Sequence, residues 1–325
     1  MKKKKFVWAI FDYREGNRNQ LLGVLSELKL PYKIIEVNYN IFSIMPNFLI
    51  QLFNGSIHIK ECMKKIICNP YPDLIISCGR RTAPLSLKIY KRLKIKPILI
   101  HLMVPRYTFL KKYFNIIFTP QHDETKDNVN IFKTLGSPNN IKIKINEQIS
   151  QNKSKIFTIT LLLGGDHARY KLSERKIKFL LRSIEDTIEF DFSLLITTSR
   201  RTNKGVIEYL NHKAKSEFSF IKEIYHPTKK SKNLLNKFLQ ICDEIVVTGD
   251  SMSMISEACS IKKPVRIFYN SDFCSSKHIL FCKKMIDEKY AFPLNTVGER
   301  VEKVKILNTS KIISDRIKLL ILNNE

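Results

Sequence analysis

The feature that most constrains the fold is a regular alternation of short apolar runs with amphipathic segments. Leucines recur at helical spacing between two of the first-half runs, at Leu21, Leu22, Leu25 and Leu28. Continuous apolar strands that alternate with helices are typical of a parallel sheet buried on both faces. The sequence therefore predicts an α/β fold. The runs of the first half are Phe6–Phe11, Lys33–Val37, Leu74–Cys78, Ile98–Met103 and Ile116–Thr119.

The alternation pauses once and then resumes, which predicts two domains. Between about Leu135 and Lys155 the chain is polar and begins with Gly136-Ser137-Pro138, a composition typical of a linker. An amphipathic segment from Ile312 to Leu322 predicts a terminal helix. We expect a Rossmann-like domain over residues 1–150 and a second over 151–325 that includes this helix. The later strands are Ile156–Leu163, Ser193–Thr198, Phe220–Ile224, Glu244–Thr248 and Val265–Tyr269.

The charge of the chain is compatible with several anionic partners. Lysine and arginine number 56 against 30 acidic residues, a formal net charge of +26. Such a balance attracts nucleic acid, acidic membrane surfaces or phosphorylated substrates. Drift in a sequence rich in Lys, Ile and Asn explains the same balance. No motif combines aromatic and basic residues for base recognition, so we expect no specific nucleic-acid partner.

Cysteine usage and hydropathy indicate the compartment. Seven cysteines lie between Cys62 and Cys282 without a C-x-x-C pair, which favours a reducing environment over a disulfide framework. Cys274, His278 and Cys282 have helical spacing but no fourth ligand, so buried thiols are favoured over a metal site. No run approaches the roughly 20 apolar residues of a membrane span. We expect a cytoplasmic protein, with peripheral attachment to the inner face of the membrane as the alternative.

The strongest local signal follows the apolar strand Glu244–Thr248. The next residues are Gly249-Asp250-Ser251, where the glycine permits a tight turn and the aspartate or serine can cap a helix. Free amides at a helix start suit phosphate. Ser253 and Glu257 are i, i+4 neighbours, which places Glu257 to accept hydrogen bonds from the vicinal hydroxyls of a sugar. An ordinary capped helix with a solvated glutamate explains the same spacing.

Two arginine pairs follow strands in matching positions. Gly79-Arg80-Arg81-Thr82 follows a strand in the first half, and Ser199-Arg200-Arg201-Thr202 follows one in the second. Open α/β sheets bind ligands at the carboxyl ends of their strands. The matching placement therefore predicts that both pairs lie at ligand-binding edges.

Taken in order, these segments resemble a known family. With Pro105-Arg106, Thr119–Asp123, Asn128-Val129, Leu163-Gly164-Gly165 and Pro264-Val265, the chain from its first strand to about residue 290 is similar to the mitochondrial fission ("elongated mitochondria") family of plants and bacteria. The Gly-Asp-Ser segment resembles the nucleotide-binding segment of GT-B-type glycosyltransferases. The resemblance implies two Rossmann-type domains that face each other across a cleft. A glycosyltransferase activity follows from it by analogy.

The resemblance also implies roles for individual residues. Glu257 would bind the ribose, the two glycines after Leu163 would approach the diphosphate or form only a tight turn, and the second arginine pair would clamp phosphate, because guanidinium groups match its oxygens in pairs. The implied donor-side residues are Gly164, Gly165, Ser199, Arg200, Arg201, Gly249, Asp250, Ser251, Ser253 and Glu257. The implied acceptor-side residues are Gly79, Arg80, Arg81, Thr82 and Arg106.

A general base and a metal are the remaining chemical questions. His122 and Asp123 are the best base candidates, since glycosyl transfer must remove the proton of the acceptor hydroxyl and histidine titrates near neutrality. A His-Asp turn that caps the next helix explains the same pair. No D-x-D motif precedes a nucleotide site. We therefore expect neither an essential metal nor a cofactor.

The predicted function is transfer of a sugar from a nucleotide sugar to an acceptor, for which a cell-envelope glycolipid is one candidate. The apolar but irregular segment Ile41–Ile59 would dock a lipid-linked acceptor or a membrane surface; a loop that packs into the core explains it equally. The alternative is a non-catalytic recruitment protein, as the name of the family suggests.

Overall fold

The computed structural model describes two compact α/β units. The described residues are 4–52, 57–60, 67, 69–105, 108–121, 130–141, 156–167, 170–227, 234–295 and 305–323. One unit comprises Met1–Asn140 and Asn308–Glu325, and the other comprises Ile141–Leu307. Each unit contains a six-stranded sheet in which every neighbouring pair of strands is parallel. The predicted fold class, two Rossmann-like units with parallel sheets, is confirmed.

The sheet of the first unit has the strand order β2-β1-β3-β4-β5-β6. Strands β1 and β3 are buried along their whole length, which is why their sequences are apolar without alternation. The elements are β1 (Val7–Phe11), α1 (Glu15–Leu28), β2 (Tyr32–Glu36), a short 3-10 turn (Ile41–Ile44), α2 (Asn47–Leu52), β3 (Leu74–Cys78), α3 (Thr82–Arg92), β4 (Ile98–Leu102), α4 (Thr108–Lys111), β5 (Ile116–Pro120) and β6 (Ile131–Thr134).

The sheet of the second unit has the order β12-β11-β10-β7-β8-β9. Its elements are β7 (Phe157–Leu163), α5 (Glu174–Thr187), β8 (Phe192–Thr198), α6 (Lys204–Ser216), β9 (Ile221–Tyr225), α7 (Leu234–Ile241), β10 (Glu244–Thr248), α8 (Met252–Ala258), β11 (Val265–Phe268), α9 (Ser276–Asp287) and β12 (Phe292–Pro293).

The order of the strands reverses once in each sheet. In the second unit the chain builds outward from β7 to β9 and then returns to place β10 on the other side of β7. In the first unit the reversal lies between β1 and β3. Ligands of open α/β sheets bind at the carboxyl ends of the strands beside such a switch point. The topology thus directs attention to the loops after β1, β3, β7 and β10.

The terminal helix α10 (Thr309–Leu322) packs in the first unit, against α1. Ile313 and Ile317 are buried there, and the Ser310 hydroxyl donates to the carbonyl oxygen of Asn139 at 2.9 Å. The sequence-based division left this helix with residues 151–325, and that detail is corrected. Amphipathicity predicts that a helix covers a core, and both units offer one. The expected boundary at residue 150 lies outside the described residues.

Side-chain caps fix where several helices begin. The side chains of Ser173, Asn203 and Asn308 accept hydrogen bonds from backbone amides three residues later, at 3.4, 3.0 and 3.0 Å. Such caps satisfy amides that have no partner inside the helix. They start α5, α6 and α10.

Two further observations concern environment. Across the ranges given above, no helix is long and apolar enough to cross a bilayer. The described cysteines are buried free thiols, namely Cys78, Cys242, Cys259, Cys274 and Cys282.

The contact between α1 and α10 depends on a glycine. A Cβ atom at Gly23 would lie 2.1 Å from the Asn139 carbonyl oxygen and 2.7 Å from the Ser310 hydroxyl. We expect Gly23→Ala to lower the free energy of unfolding by about 1–3 kcal/mol, because overpacking forces a backbone shift. Urea denaturation would measure it. Gly16 lies in the same helix with nothing within 4 Å of its added Cβ. Gly16→Ala should leave stability unchanged or raise it by about 0.4–1 kcal/mol; equal losses would contradict the packing argument.

Candidate functional site

A buried carboxylate lies at the switch point of the second sheet. Asp250, just after β10, is 4% exposed. It accepts hydrogen bonds from the Gly165 amide at 2.9 Å and from the Thr248 hydroxyl at 2.7 Å, and Arg201 Nη2 approaches it to 3.3 Å. The donors come from the loops after β7 and β8 and from the end of β10. The structure therefore brings together three of the segments that the sequence singled out.

The two glycines after β7 make this convergence possible. A Cβ at Gly164 would lie 2.1 Å from the Asp250 carboxylate oxygens, and one at Gly165 would lie 2.2 Å from the Arg201 carbonyl carbon. Both positions must therefore lack a side chain. The Gly165 amide already donates a hydrogen bond to Asp250. A diphosphate that approached this backbone would have to share that amide with Asp250. Diphosphate binding here stays a prediction.

The loop after β8 presents its two arginines differently. Ser199 Oγ accepts from the Arg201 amide at 3.1 Å, and the Ser199 amide donates to the Thr202 hydroxyl at 2.9 Å, which closes a tight turn. The Arg201 side chain is 37% exposed beside Asp250, and its Nη1 donates to the Asp166 carbonyl oxygen at 3.4 Å. A guanidinium has five N–H groups, so donors remain for an anion. Arg200 is exposed.

The carboxyl group of Glu257 accepts no hydrogen bond from the described residues around it. The residue lies in α8, a helix of seven residues, with a half-buried side chain. Among the residues described, nothing donates a hydrogen bond to its carboxyl group and no cation pairs with it. Burial raises its pKa to about 7. Ser251 is the N-cap of the helix without a side-chain hydrogen bond, and Ser253 is exposed.

Sulfur atoms support the turn from behind. A Cβ at Gly249 would lie 2.9 Å from Cys274 Sγ and 3.0 Å from Cys282 Sγ. Burial raises the pKa of the Cys274 thiol to about 12 and raises that of Cys282 as well. His278 Nδ1 lies 2.7 Å from the Ser275 hydroxyl. Within the described part of the chain, no three His, Cys, Asp or Glu groups are arranged to hold a metal ion. These thiols therefore pack beneath the turn.

Sequence reasoning missed the threonines that join the loops. The Gly164 amide donates to the Thr248 hydroxyl at 2.8 Å, and the Thr202 hydroxyl donates to the Gly164 carbonyl oxygen at 2.5 Å. A threonine at the end of β10 was visible in the sequence. Its partner was not, because adjacency of β7 and β10 follows only from the strand order.

The segment Gly79–Thr82, predicted to lie on the acceptor side, follows the carboxyl end of β3. Gly79 has φ +96°, a conformation that favours glycine. The Thr82 hydroxyl donates to the carbonyl oxygens of Cys78 and Gly79, each at 2.9 Å, and so holds the turn itself. The Arg81 guanidinium donates to the Met45 carbonyl oxygen, and Arg80 is partly exposed.

Three of the predicted site residues cannot be placed. His122, Asp123 and Arg106 lie outside the described residues, so their roles stay predictions.

Sequence reasoning missed a polar cluster at the switch point of the first sheet. The cluster comprises Asp12, Tyr39 and His58.

The half-buried Glu257 predicts a specific dependence of stability on pH. Its pKa of about 7 exceeds the ordinary 4.5, so between these values the folded protein retains a proton that the unfolded chain has lost. Stability at this position therefore falls as the pH rises through that window. We expect the free energy of unfolding of Glu257→Gln to exceed that of the wild type by about 3 kcal/mol at pH 8. At pH 5 the two free energies should agree within about 1 kcal/mol. Urea unfolding at both values measures this; a difference independent of pH would refute it.

Comparison with solved structures identifies the fold. A UDP-GlcNAc 2-epimerase from Methanocaldococcus jannaschii is 16% identical, with TM-score 0.53 over 97% of this chain and 99% of that one. The Neisseria meningitidis UDP-GlcNAc 2-epimerase bound to UDP-GlcNAc is 13% identical, with TM-score 0.52 over 97% and 100%. The S. aureus MnaA-UDP co-structure is 15% identical, with TM-score 0.52 over 97% and 95%. This likeness shows a GT-B-type fold.

Sequence comparison identifies the family. Uncharacterized protein RP120 of Rickettsia prowazekii (strain Madrid E) is 29% identical over 98% of this chain and 99% of its own length. The family model described as mitochondrial fission ELM1 matches residues 15–319. Because that match spans nearly all of the sequence, the chain belongs to the mitochondrial fission ELM1 family.

Proposed function

We propose that the protein binds a nucleotide sugar in its second unit and transfers the sugar to an acceptor. The observation that carries the proposal is the Glu257 carboxyl group beside the switch point, which accepts no hydrogen bond from any residue that the structure describes. A ribose offers two adjacent hydroxyl donors. Their hydrogen bonds would stabilise the ionised carboxylate that burial disfavours.

Basic and hydroxyl groups support the remainder of the donor. Arg200 is exposed, and Arg201 is held by Asp250 with part of its guanidinium accessible. Together they would bind the diphosphate and stabilise the charge that develops as it leaves. Ser251 and Ser253 present further hydroxyls. The similar S. aureus MnaA structure is a complex with UDP, and the similar Neisseria meningitidis epimerase is bound to UDP-GlcNAc, which supplies the ligand class for this proposal.

Nucleotide binding is testable by thermal shift. We expect UDP and UDP-GlcNAc to raise the Tm of the wild type with increasing concentration, because both would bind only the folded state. Glu257→Gln should weaken the apparent Kd about tenfold or more, since a charged hydrogen bond is lost. Glu189→Gln is the matched control, because Glu189 is exposed at the amino end of β8. The shift on ligand addition is compared, so that differences in intrinsic stability cancel.

Two results would oppose the proposal. Equal affinities for the two variants would remove Glu257 from the site. A folded protein that responds to no nucleotide would favour the second candidate, a recruitment protein without catalysis. The description of its family, mitochondrial fission, is the observation behind that candidate.

We further infer that the acceptor lies at a membrane surface. Ile41, Ile44 and Leu52 are 77%, 85% and 76% exposed, and the 3-10 turn buries none of its residues. Ile50 and Ile59 are buried, so the segment packs into the core with one part and exposes the other.

Charge and position favour an anionic bilayer as the partner of this apolar surface. No acidic residue occurs between Glu36 and Glu61, and the whole chain is strongly basic. Exposed apolar side chains without acidic neighbours suit the interface of anionic lipid. The Arg81 guanidinium donates to the Met45 carbonyl oxygen, which ties the segment to the acceptor-side loop. A peripheral location on the inner face of the membrane follows from this proposal.

Membrane attachment has a well-matched pair of variants. Ile44 and Ile95 are both 85% exposed in the first unit. Ile44 follows β2, at the carboxyl ends of the strands, whereas Ile95 precedes β4, at their amino ends. We expect wild type and Ile95→Glu to co-sediment with vesicles of phosphatidylcholine and phosphatidylglycerol. Ile44→Glu should bind about tenfold less, because a charge replaces buried apolar area. Equal sedimentation of both variants, or none by the wild type, would contradict the assignment.

A further inference from the structure

The cluster at the switch point of the first sheet begins with a buried aspartate. Asp12 directly follows β1 and is 3% exposed. One carboxylate oxygen accepts from the Arg14 amide at 2.9 Å, and the other accepts from the Asn17 side chain at 2.8 Å. Burial raises the pKa of this carboxyl group, with the two hydrogen bonds opposing the shift. Each oxygen has two lone pairs, so both can accept another hydrogen bond.

One ring nitrogen of His58, Nδ1, has no hydrogen atom to donate. The His58 ring is fully buried, and Nε2 lies 2.9 Å from the carbonyl oxygen of Arg81. A carbonyl oxygen only accepts, so Nε2 carries the hydrogen. Burial lowers the pKa of His58, which keeps the imidazole neutral. Nδ1 is therefore an unprotonated acceptor, and no described residue donates a hydrogen bond to it.

Tyr39 brings a third polar atom without a partner. Its hydroxyl is buried and makes no hydrogen bond with the part of the chain that the structure describes. The Tyr39 ring stacks on His58 with centroids 5.6 Å apart and meets the ring of Tyr13 edge-on at 5.7 Å. Burial, followed by the nearby Asp12 carboxylate, raises the pKa of Tyr39, so its hydroxyl remains protonated. Native proteins rarely leave buried polar atoms unpaired without an occupant.

Backbone contacts hold these side chains together. Tyr39 and Ile59 form an antiparallel bridge, which places His58 beside Tyr39. The amide of Val37 donates to the Phe11 carbonyl oxygen at 3.0 Å, so the segment leaves β2 next to Asp12. At Gly79, an added Cβ would lie 2.2 Å from the Asn17 side chain that holds Asp12. The cluster is thus built by the loops after β1, β2 and β3.

The chemistry of these atoms selects a class of ligand. Two of the three groups, the carboxylate of Asp12 and Nδ1 of His58, accept hydrogen bonds, and only the Tyr39 hydroxyl also donates. Among the three groups only the Tyr39 hydroxyl could donate to a phosphate or carboxylate ligand, and the Asp12 carboxylate would repel such a ligand, whereas Arg14 and Arg81 near Tyr39 would attract it. A polyhydroxylated neutral molecule supplies several hydroxyl donors, which match the acceptors of the cluster.

We propose that Asp12, Tyr39 and His58 form a binding site for the hydroxyl groups of a sugar. The inference rests on the proposed function and deepens it, because it assigns a sugar-like acceptor to the first unit. It also gives that unit a site independent of His122 and Asp123.

The test uses free sugars on the full chain. Saturation-transfer NMR would be recorded with the methyl glycosides of glucose, galactose, mannose and N-acetylglucosamine. We expect a signal from at least one sugar and a loss of affinity of about tenfold in Asp12→Asn and Tyr39→Phe, since each removes a ligand hydrogen bond. Tyr39→Phe should not lower the Tm of the ligand-free protein, because the deleted hydroxyl has no partner among the described residues.

Matched controls separate this site from general effects. Asp73 accepts from the Phe6 amide at 2.7 Å at the amino end of β3, and Tyr113 is exposed. Asp73→Asn and Tyr113→Phe should retain the sugar signal. All four variants should keep the UDP-dependent thermal shift of the wild type. UDP binding with no sugar signal would overturn this site and leave the proposed function standing. A lower Tm of ligand-free Tyr39→Phe would overturn it in favour of an ordered structural water.

Discussion

The candidate site of the second unit depends on a carboxylate removed from water. An ionised aspartate at this depth is unfavourable unless donors surround it. The Gly165 amide, the Thr248 hydroxyl and the Arg201 guanidinium supply those donors to Asp250. This requirement joins three loops that are far apart in sequence. It also explains why Gly164 has no side chain, since a Cβ would occupy the place of the carboxylate.

The first unit also places a buried aspartate directly after a strand at its switch point. Asp12 also follows a buried strand beside the switch point, and Gly79 again provides the space that its partner Asn17 needs. The two aspartates differ in their surroundings. Asp250 forms an ion pair with Arg201, whereas Asp12 lies near Tyr39 and His58, whose hydroxyl and Nδ1 have no hydrogen-bond partner among the described residues. One aspartate fixes a basic group beside a proposed phosphate site, and the other lies in an acceptor-rich cluster suited to hydroxyls.

Much of this architecture could be predicted from the sequence, and the remainder depended on the strand order. Apolar runs without alternation predicted buried parallel strands, and Gly249-Asp250-Ser251 marked the turn after one of them. The hydrogen bond between Gly164 and Thr248 needed the knowledge that β10 lies beside β7. Tyr39 and His58 lie in an irregular segment without periodicity, so no pattern indicated them.

The return of α10 to the first unit has a consequence for the order of folding during synthesis. Domains ordinarily fold as they leave the ribosome, with the N-terminal one first. Here the surface around Leu21 and Val24 is covered by Ile313 and Ile317, which are translated after the whole second unit. The second unit is continuous in sequence and can close before them. The first unit, whose synthesis begins before that of the second, is therefore completed after it.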